Sequence, residues 1–214
     1  MRRQLAAALL VVLMVSSGCV GFITGSSALT FAAADVSVAE QARSDTGYEE
    51  TRDVENNVTR AFGAAGQSRN VTVTNQVAEY QRSVSLPVVG SQPFSRFTVV
   101  SSPEVEVAGQ TFNPLGDLSN RELAQRLQQQ YSTVENLQFV ENSTTTVLGS
   151  ETTVSKFSAE AATESGQRFD VYVDLTKTRD GEDFVVAVAV YPQRLDGEGA
   201  RVDTMLGGVE HESA

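Results

Sequence analysis

Apolar and polar residues alternate most cleanly in the C-terminal third of the chain. Phe169, Val171, Val173 and Leu175 fall on one side, and Asp170, Tyr172, Asp174 and Thr176 on the other. That period of two predicts a half-buried strand with the second set facing out. Arg179-Asp180-Gly181-Glu182-Asp183 follows, a hairpin loop carrying the turn dipeptide Asp-Gly. Phe184 to Tyr191 is apolar on both faces, as expected of a strand in the middle of a sheet with a helix over it. With a strand at Thr152 to Glu160 and a turn at Glu164-Ser165-Gly166, these segments predict a meander.

The helix to cover that meander lies just upstream. Ser119-Asn120-Arg121-Glu122 is a capping box, flanked by Leu118 and Leu123 as a hydrophobic staple. Leu123, Leu127, Tyr131 and Val134 then recur at spacings of four, four and three, which predicts an amphipathic helix over 120–131. Between this helix and Val147, the chain at Asn142 reads as loop. Further upstream, Tyr48 to Phe62 and Arg69 to Tyr80 read as the two arms of a hairpin turning at Gly63 to Gly66. Ser83 to Leu86 continues the second arm, and Pro87 and Pro93 bound a loop. Shorter strands are expected at Arg96 to Ser101 and Glu104 to Ala108, with a turn at Gly109 and a loop at Asn113-Pro114-Leu115-Gly116. The alanine-rich stretch Ala32 to Arg43 predicts a short helix capped by Asp35, and the tail from Leu195 holds one short turn near Val202 to Leu206. The fold expected is therefore α+β: an antiparallel sheet of meander and hairpins, packed by one main helix and a shorter N-terminal helix.

None of this applies to the first residues. Arg2 and Arg3 precede an unbroken apolar run, Leu5 to Val15, and then Ser16-Ser17-Gly18-Cys19. Basic, apolar and small segments in that order form an export signal. A helix over the apolar run is only about 16 Å long, roughly half the hydrocarbon thickness of a bilayer. The small residues before Cys19, the only cysteine in the chain, resemble the lipobox of prokaryotic lipoproteins. Such a match implies lipid on the Cys19 sulfur and cleavage just before it. The pattern departs from the usual lipobox at Ser16, where an aliphatic residue is customary and Val15 lies one place out. A plain signal peptide cut near Ala28 is the alternative. Arg2-Arg3-Gln4-Leu5 also resembles a twin-arginine export signal, against the reading of two ordinary positive charges. The expected organisation is a signal over 1–18, a lipidated cysteine and short tether over 19–28, and one globular domain over 29–214.

Composition narrows the partners. Without residues 1–18 the chain keeps 14 Lys and Arg against 27 Asp and Glu, and Lys156 and Lys177 are its only lysines. That acidic surface suits concentrated salt, where like-charge repulsion is screened to a few ångströms. It offers no basic stripe for nucleic acid, so the membrane is reached through the lipid on Cys19.

Chemistry is sparse. His211, the only histidine, stands in the tail and reads as solvated. No zinc-ligand cluster or phosphate loop is present, no cofactor is expected, and no residue is assigned a catalytic or metal-binding role. Asp180, Glu182 and Asp183 offer oxygen to a hard cation, but read first as a solvated acidic turn. Asn57-Val58-Thr59, Asn70-Val71-Thr72 and Asn142-Ser143-Thr144 are N-glycosylation sequons. Asn142 is the favoured acceptor because it falls in an expected loop.

Several landmarks together resemble an uncharacterised family of secreted lipoproteins of halophilic archaea: Gly47-Tyr48, Val71 to Tyr80, Asn113-Pro114-Leu115, and Asp183-Phe184-Val185-Val186 running to Tyr191-Pro192. The resemblance implies a lipoprotein on the outer face of the cell membrane and no particular activity. The function expected is a non-catalytic binding or envelope component. A secreted carboxylate-based hydrolase and a lipoprotein carrier or assembly factor are the alternatives.

Overall fold

A computed structural model describes residues 29–64, 67–86, 90–107, 110–111, 115–130, 134–162 and 168–212. Its centre is the strand that is apolar on both sides. β11 (Asp183–Pro192) pairs antiparallel with β10 (Arg168–Asp180) along one edge and with β5 (Gly90–Pro103) along the other. From β10 the meander runs outward through β9 (Ser150–Ala162) to β8 (Val134–Val147). From β5 the sheet runs to β4 (Gln67–Leu86), whose far side carries β3 (Glu49–Ala64). Where β5 leaves β4, the short β1 (Leu29–Ala32) takes its place in parallel, completing eight strands. The expected antiparallel sheet is thus a mixed one in a mainly β fold, with three helices among the described residues.

Each face of the sheet is closed by a different part of the chain. α2 (Asn120–Gln130) lies over the meander, with Leu123 and Ala124 buried against Phe157, Ala159, Val171, Val173, Leu175 and Val186. The capping box forms as expected: the Ser119 N–H donates to Glu122 Oε2 at 2.8 Å, and the Glu122 N–H donates to Ser119 Oγ at 3.3 Å. Two buried-edge polar side chains fix where the helix starts. Asn120 Nδ2 reaches the carbonyls of Thr153 and Leu175, and Lys177 Nζ donates to the carbonyls of Leu115, Gly116 and Leu118 at 2.7, 2.8 and 2.7 Å.

The opposite face is covered by α1 (Glu40–Thr46), by α3 (Glu198–Gly207), and by a two-stranded sheet of β2 (Val36–Val38) with β12 (Val209–His211). A small separate hairpin, β6 (Glu106–Val107) with β7 (Gln110–Thr111), follows β5. Val202, Met205 and Leu206 of α3 are buried with Tyr48, Tyr80, Phe97, Val99, Ala187 and Tyr191. The Tyr80 hydroxyl also accepts the Val38 N–H at 3.0 Å, tying β2 to the sheet.

Several expectations change. The helix expected over Ala32 to Arg43 is instead β1, β2 and, from Glu40, α1. Alternation at Val36 and Val38, both buried, overrides the helix propensity of the preceding alanines. The tail expected to hold one turn forms α3 and β12. The presumed loop after α2 is a fourteen-residue strand, β8. Pro93 lies inside β5, at a register shift of β4, on a stretch that β11 does not reach. A proline there removes no hydrogen bond from β11. The turns expected at 65–66, 109 and 164–166, Pro87, and residues 112–114 lie outside the described residues.

Two helices meet very closely at Gly208. A Cβ built there would stand 2.4 Å from the Ala42 Cβ of α1, whereas one at Gly207 meets nothing within 4 Å. Gly208→Ala is therefore expected to destabilise the domain by about 1–3 kcal/mol through overpacking. Gly207→Ala is expected to be neutral or to stabilise by up to about 1 kcal/mol through helix propensity. Urea unfolding of the two variants beside the wild type checks the contrast.

Candidate functional site

Three polar assemblies are buried among the described residues: the first and third join the sheet to the C-terminal segment, and the second lies within the sheet. The first centres on Glu198, in the first turn of α3 and fully buried. Its Oε1 accepts the Tyr48 hydroxyl at 2.9 Å and Arg82 Nε at 3.1 Å, and its Oε2 is paired with the second Arg82 nitrogen. Burial works against this carboxylate, but the hydrogen bonds from Arg82 and Tyr48 and the Arg82 charge hold it below its ordinary value. Burial and the facing Glu198 push the Tyr48 hydroxyl far up, so it acts as a donor.

The second assembly is centred on Asp174 of β10, which is 5% exposed. The Tyr191 hydroxyl donates to Oδ2 at 2.7 Å, and Lys156 Nζ stands 3.9 Å from the same oxygen and 5.4 Å over the Tyr172 ring. Oδ1 has no hydrogen-bond partner among the described residues. Burial raises the Asp174 carboxyl; Tyr191 and Lys156 work the other way, while Asp203 of α3 and Glu141 of β8 add to the rise. Burial and the Asp174 hydrogen bond push Tyr191 up in turn.

The third assembly surrounds His211. Its side chain is fully buried, with Nδ1 2.8 Å from Asp180 Oδ2 and Nε2 3.1 Å from Asp183 Oδ2. Ser101 Oγ lies 2.9 Å from Nε2, and Asp183 Oδ2 also accepts the Ala34 N–H at 2.8 Å. The solvated tail histidine is thus corrected, and so is the solvated acidic turn: Asp180 and Asp183 point inward to the ring. β12 pairs with β2 through His211↔Val36, and that pairing carries the ring under the sheet.

Serine, histidine and aspartate at these distances match the spacing of a hydrolytic triad. Two features set this group apart. Ser101 is fully buried, so a substrate carbonyl has no path to Oγ. Nε2, the nitrogen that would take the serine proton, already faces the Asp183 carboxylate.

A model of a domain of unknown function, DUF6517, matches residues 35–210. The chain belongs to the DUF6517 family. A search of curated proteins gives no match. The DUF6517 span takes in Tyr48, Arg82, Asp174, Tyr191 and Glu198, so the first two assemblies belong to the family domain; His211 stands one residue past its end.

The residues singled out in the sequence lie elsewhere. Arg2, Arg3 and Cys19 fall outside the described residues. Asn57 of β3 and Asn70 of β4 are exposed. Asn142 is exposed as well but stands on β8, not in a loop, with its Oδ1 accepting Ser155 Oγ at 2.8 Å. Asp174 and Thr176, expected to face out, are buried, because α3 covers their side of β10. The signal for that cover was the spacing of Val202, Met205 and Leu206, which places all three on one helical face.

Glu198→Gln removes one partner of the buried pair. It is expected to destabilise by about 3 kcal/mol, the low end of the range because Arg82 keeps some contact with water. The lowered Glu198 carboxyl contributes fully above its ordinary value of 4.5, and the contribution is lost as pH falls through the folded-state value. Thermal unfolding from neutral to acid pH should therefore show the wild type converging on the variant at the acid end.

Proposed function

We propose that this protein is a lipid-anchored component of the outer cell surface, held through Cys19, whose DUF6517 domain acts as a non-catalytic binding or envelope module. The observation that carries the reading is the sequence Arg2 to Cys19, with its basic start, apolar run, and small residues ending in the only cysteine. The resemblance to secreted lipoproteins of halophilic archaea supports it. So does the short distance between anchor and domain: β1 begins at Leu29, and residues 20–27 reach at most about 29 Å. Two lipid chains at roughly 0.8 kcal/mol per buried CH₂ hold such a domain stably. Among the described residues no helix is long and apolar enough to cross a membrane.

The three buried assemblies favour a structural use of the polar groups. Glu198 and His211 are spent binding the C-terminal segment to the sheet. Asp174 supports the second reading, a carboxylate-based hydrolase, because its carboxyl is raised and one oxygen is unpartnered. That reading needs a second carboxylate converging on the same space; Asp203 and Glu141 are carboxylates whose charge reaches Asp174.

The mass of the mature N-terminal peptide from membranes tests the anchor, with Cys19→Ser beside the wild type. A peptide beginning at Cys19 with added lipid mass, and loss of the variant from the membrane fraction, are the expected results. An unlipidated start near Ala28 would overturn the reading. The acidic surface carries its own expectation: the Tm of the domain should rise from low to molar salt as carboxylate repulsion is screened. Calorimetry across a salt series checks it.

A further inference from the structure

A sheet that is not closed into a barrel leaves strand edges with unpaired backbone groups, and exposed edges invite pairing with other chains. Here the two long edges are β3 and β8. Each is partly protected by its own sequence. β3 carries Glu49, Glu50, Arg52, Asp53, Glu55 and Arg60. β8 is interrupted by register shifts at Glu135/Gln138 and Phe139/Glu141.

The protection is incomplete in one respect. Among the described residues, the exposed large hydrophobic side chains are Val58, Phe139 and Val140, at 38%, 41% and 46% exposure. Val58 stands on β3, and Phe139 and Val140 stand on β8. Arg121 lies 4.7 Å over the Phe139 ring.

Each of these edges carries a sequon beside its exposed apolar residue. Val58 is the middle residue of Asn57-Val58-Thr59, and Val140 lies two residues before Asn142-Ser143-Thr144. Both asparagines are exposed. In both, the side-chain tie uses the carbonyl oxygen: Asn57 Oδ1 accepts Thr74 Oγ1 at 2.5 Å, and Asn142 Oδ1 accepts Ser155 Oγ at 2.8 Å. An N-glycosidic bond replaces one hydrogen on Nδ2 and leaves that oxygen free to accept, so both ties survive modification.

We propose that Asn57 and Asn142 each carry an N-linked glycan, and that the two glycans cover the open edges of the sheet. This rests on the reading that the chain is exported. In the modification, Asn Nδ2 forms a bond to the anomeric carbon of a sugar carried on a polyprenyl phosphate donor. The sugar–oxygen bond to the donor breaks, the lipid phosphate leaves with the electron pair, and the displaced Nδ2 proton is lost to base. No redox partner is involved. Asn70 is exposed on β4, one strand in from the edge, and the edge argument does not extend to it.

The experiment is peptide mass mapping of the full-length protein purified in detergent from its own membranes, with the N-terminal peptide read in the same run. The Asn57 and Asn142 peptides should each be heavier by one oligosaccharide. The intact mass should fall by one such increment in Thr59→Ala and again in Thr144→Ala, which keep the asparagines but break the sequons; Asn57→Gln and Asn142→Gln serve as second variants. A chain processed at Cys19 with both asparagines unmodified overturns the glycans and leaves the anchor standing. A chain that retains its signal and is unmodified overturns both. For the covering role, sedimentation of the doubly unglycosylated chain should shift from one copy to several; a chain that stays at one copy overturns it.

Discussion

The domain depends on one buried ion pair crossing from helix to sheet. Glu198 has no contact with water, and an isolated carboxylate in that position would be heavily penalised. Arg82 and Tyr48 donate hydrogen bonds to its two oxygens. The pair sets where α3 begins, and α3 then brings Val202, Met205 and Leu206 down onto Tyr80, Phe97 and Ala187. Pairs of this kind add less net stability than an apolar replacement of the same shape, but they discriminate strongly against misplacement. Sliding α3 by one turn would separate the charges and leave Glu198 buried without its partner. The assembly around His211 acts similarly at the other end of the segment, with Asp180 and Asp183 on one hairpin gripping both nitrogens of a single ring.

Elements whose pattern is local could be read from the sequence, and those whose pattern depends on a distant neighbour could not. β10, β11 and α2 carry their own signals: strict alternation, apolar character on both faces, and a capping box. α3 reads as a single turn because Gly197, Gly199, Gly207 and Gly208 weaken its propensity. Two of those glycines have a visible reason. Gly197 adopts φ 76 before the helix, and Gly208 makes room for Ala42. β8 read as loop because an edge strand facing solvent on both sides needs no alternation, and its run of threonine and asparagine looks like a turn. Ala32 to Ala34 read as helix on propensity, and packing against the sheet overruled it.

The site suffered from the same blindness. Nothing within a few residues of His211 shows that Asp180, Asp183 and Ser101 surround it. Only the pairing of β12 with β2 does so, and that joins the two ends of the domain. Alternation alone puts Asp174 and Thr176 on the outer face of β10, because the helix over them carries only a weak local signal. Missing a cover turns a core position into an apparent surface one, and the polar residues most affected are those with the most chemistry. The family match leaves the activity open, so the buried groups have to be weighed by their geometry alone.

The pairing of Val38 with Val209 has a consequence for the order in which the molecule assembles. Among the described elements of the domain, β2 lies near its start and β12 at its end. Until α3 and β12 are available, the share of cover they give to Tyr80, Phe97 and Val99 is missing. Contacts between such distant parts of a chain form slowly, because a long loop must close before they are rewarded. The nascent domain therefore remains incompletely folded until its synthesis is finished, and its quality can be judged from the far end. A domain without α3 and β12 loses much of the cover of this core, and presents the apolar surface so exposed to proteases and chaperones.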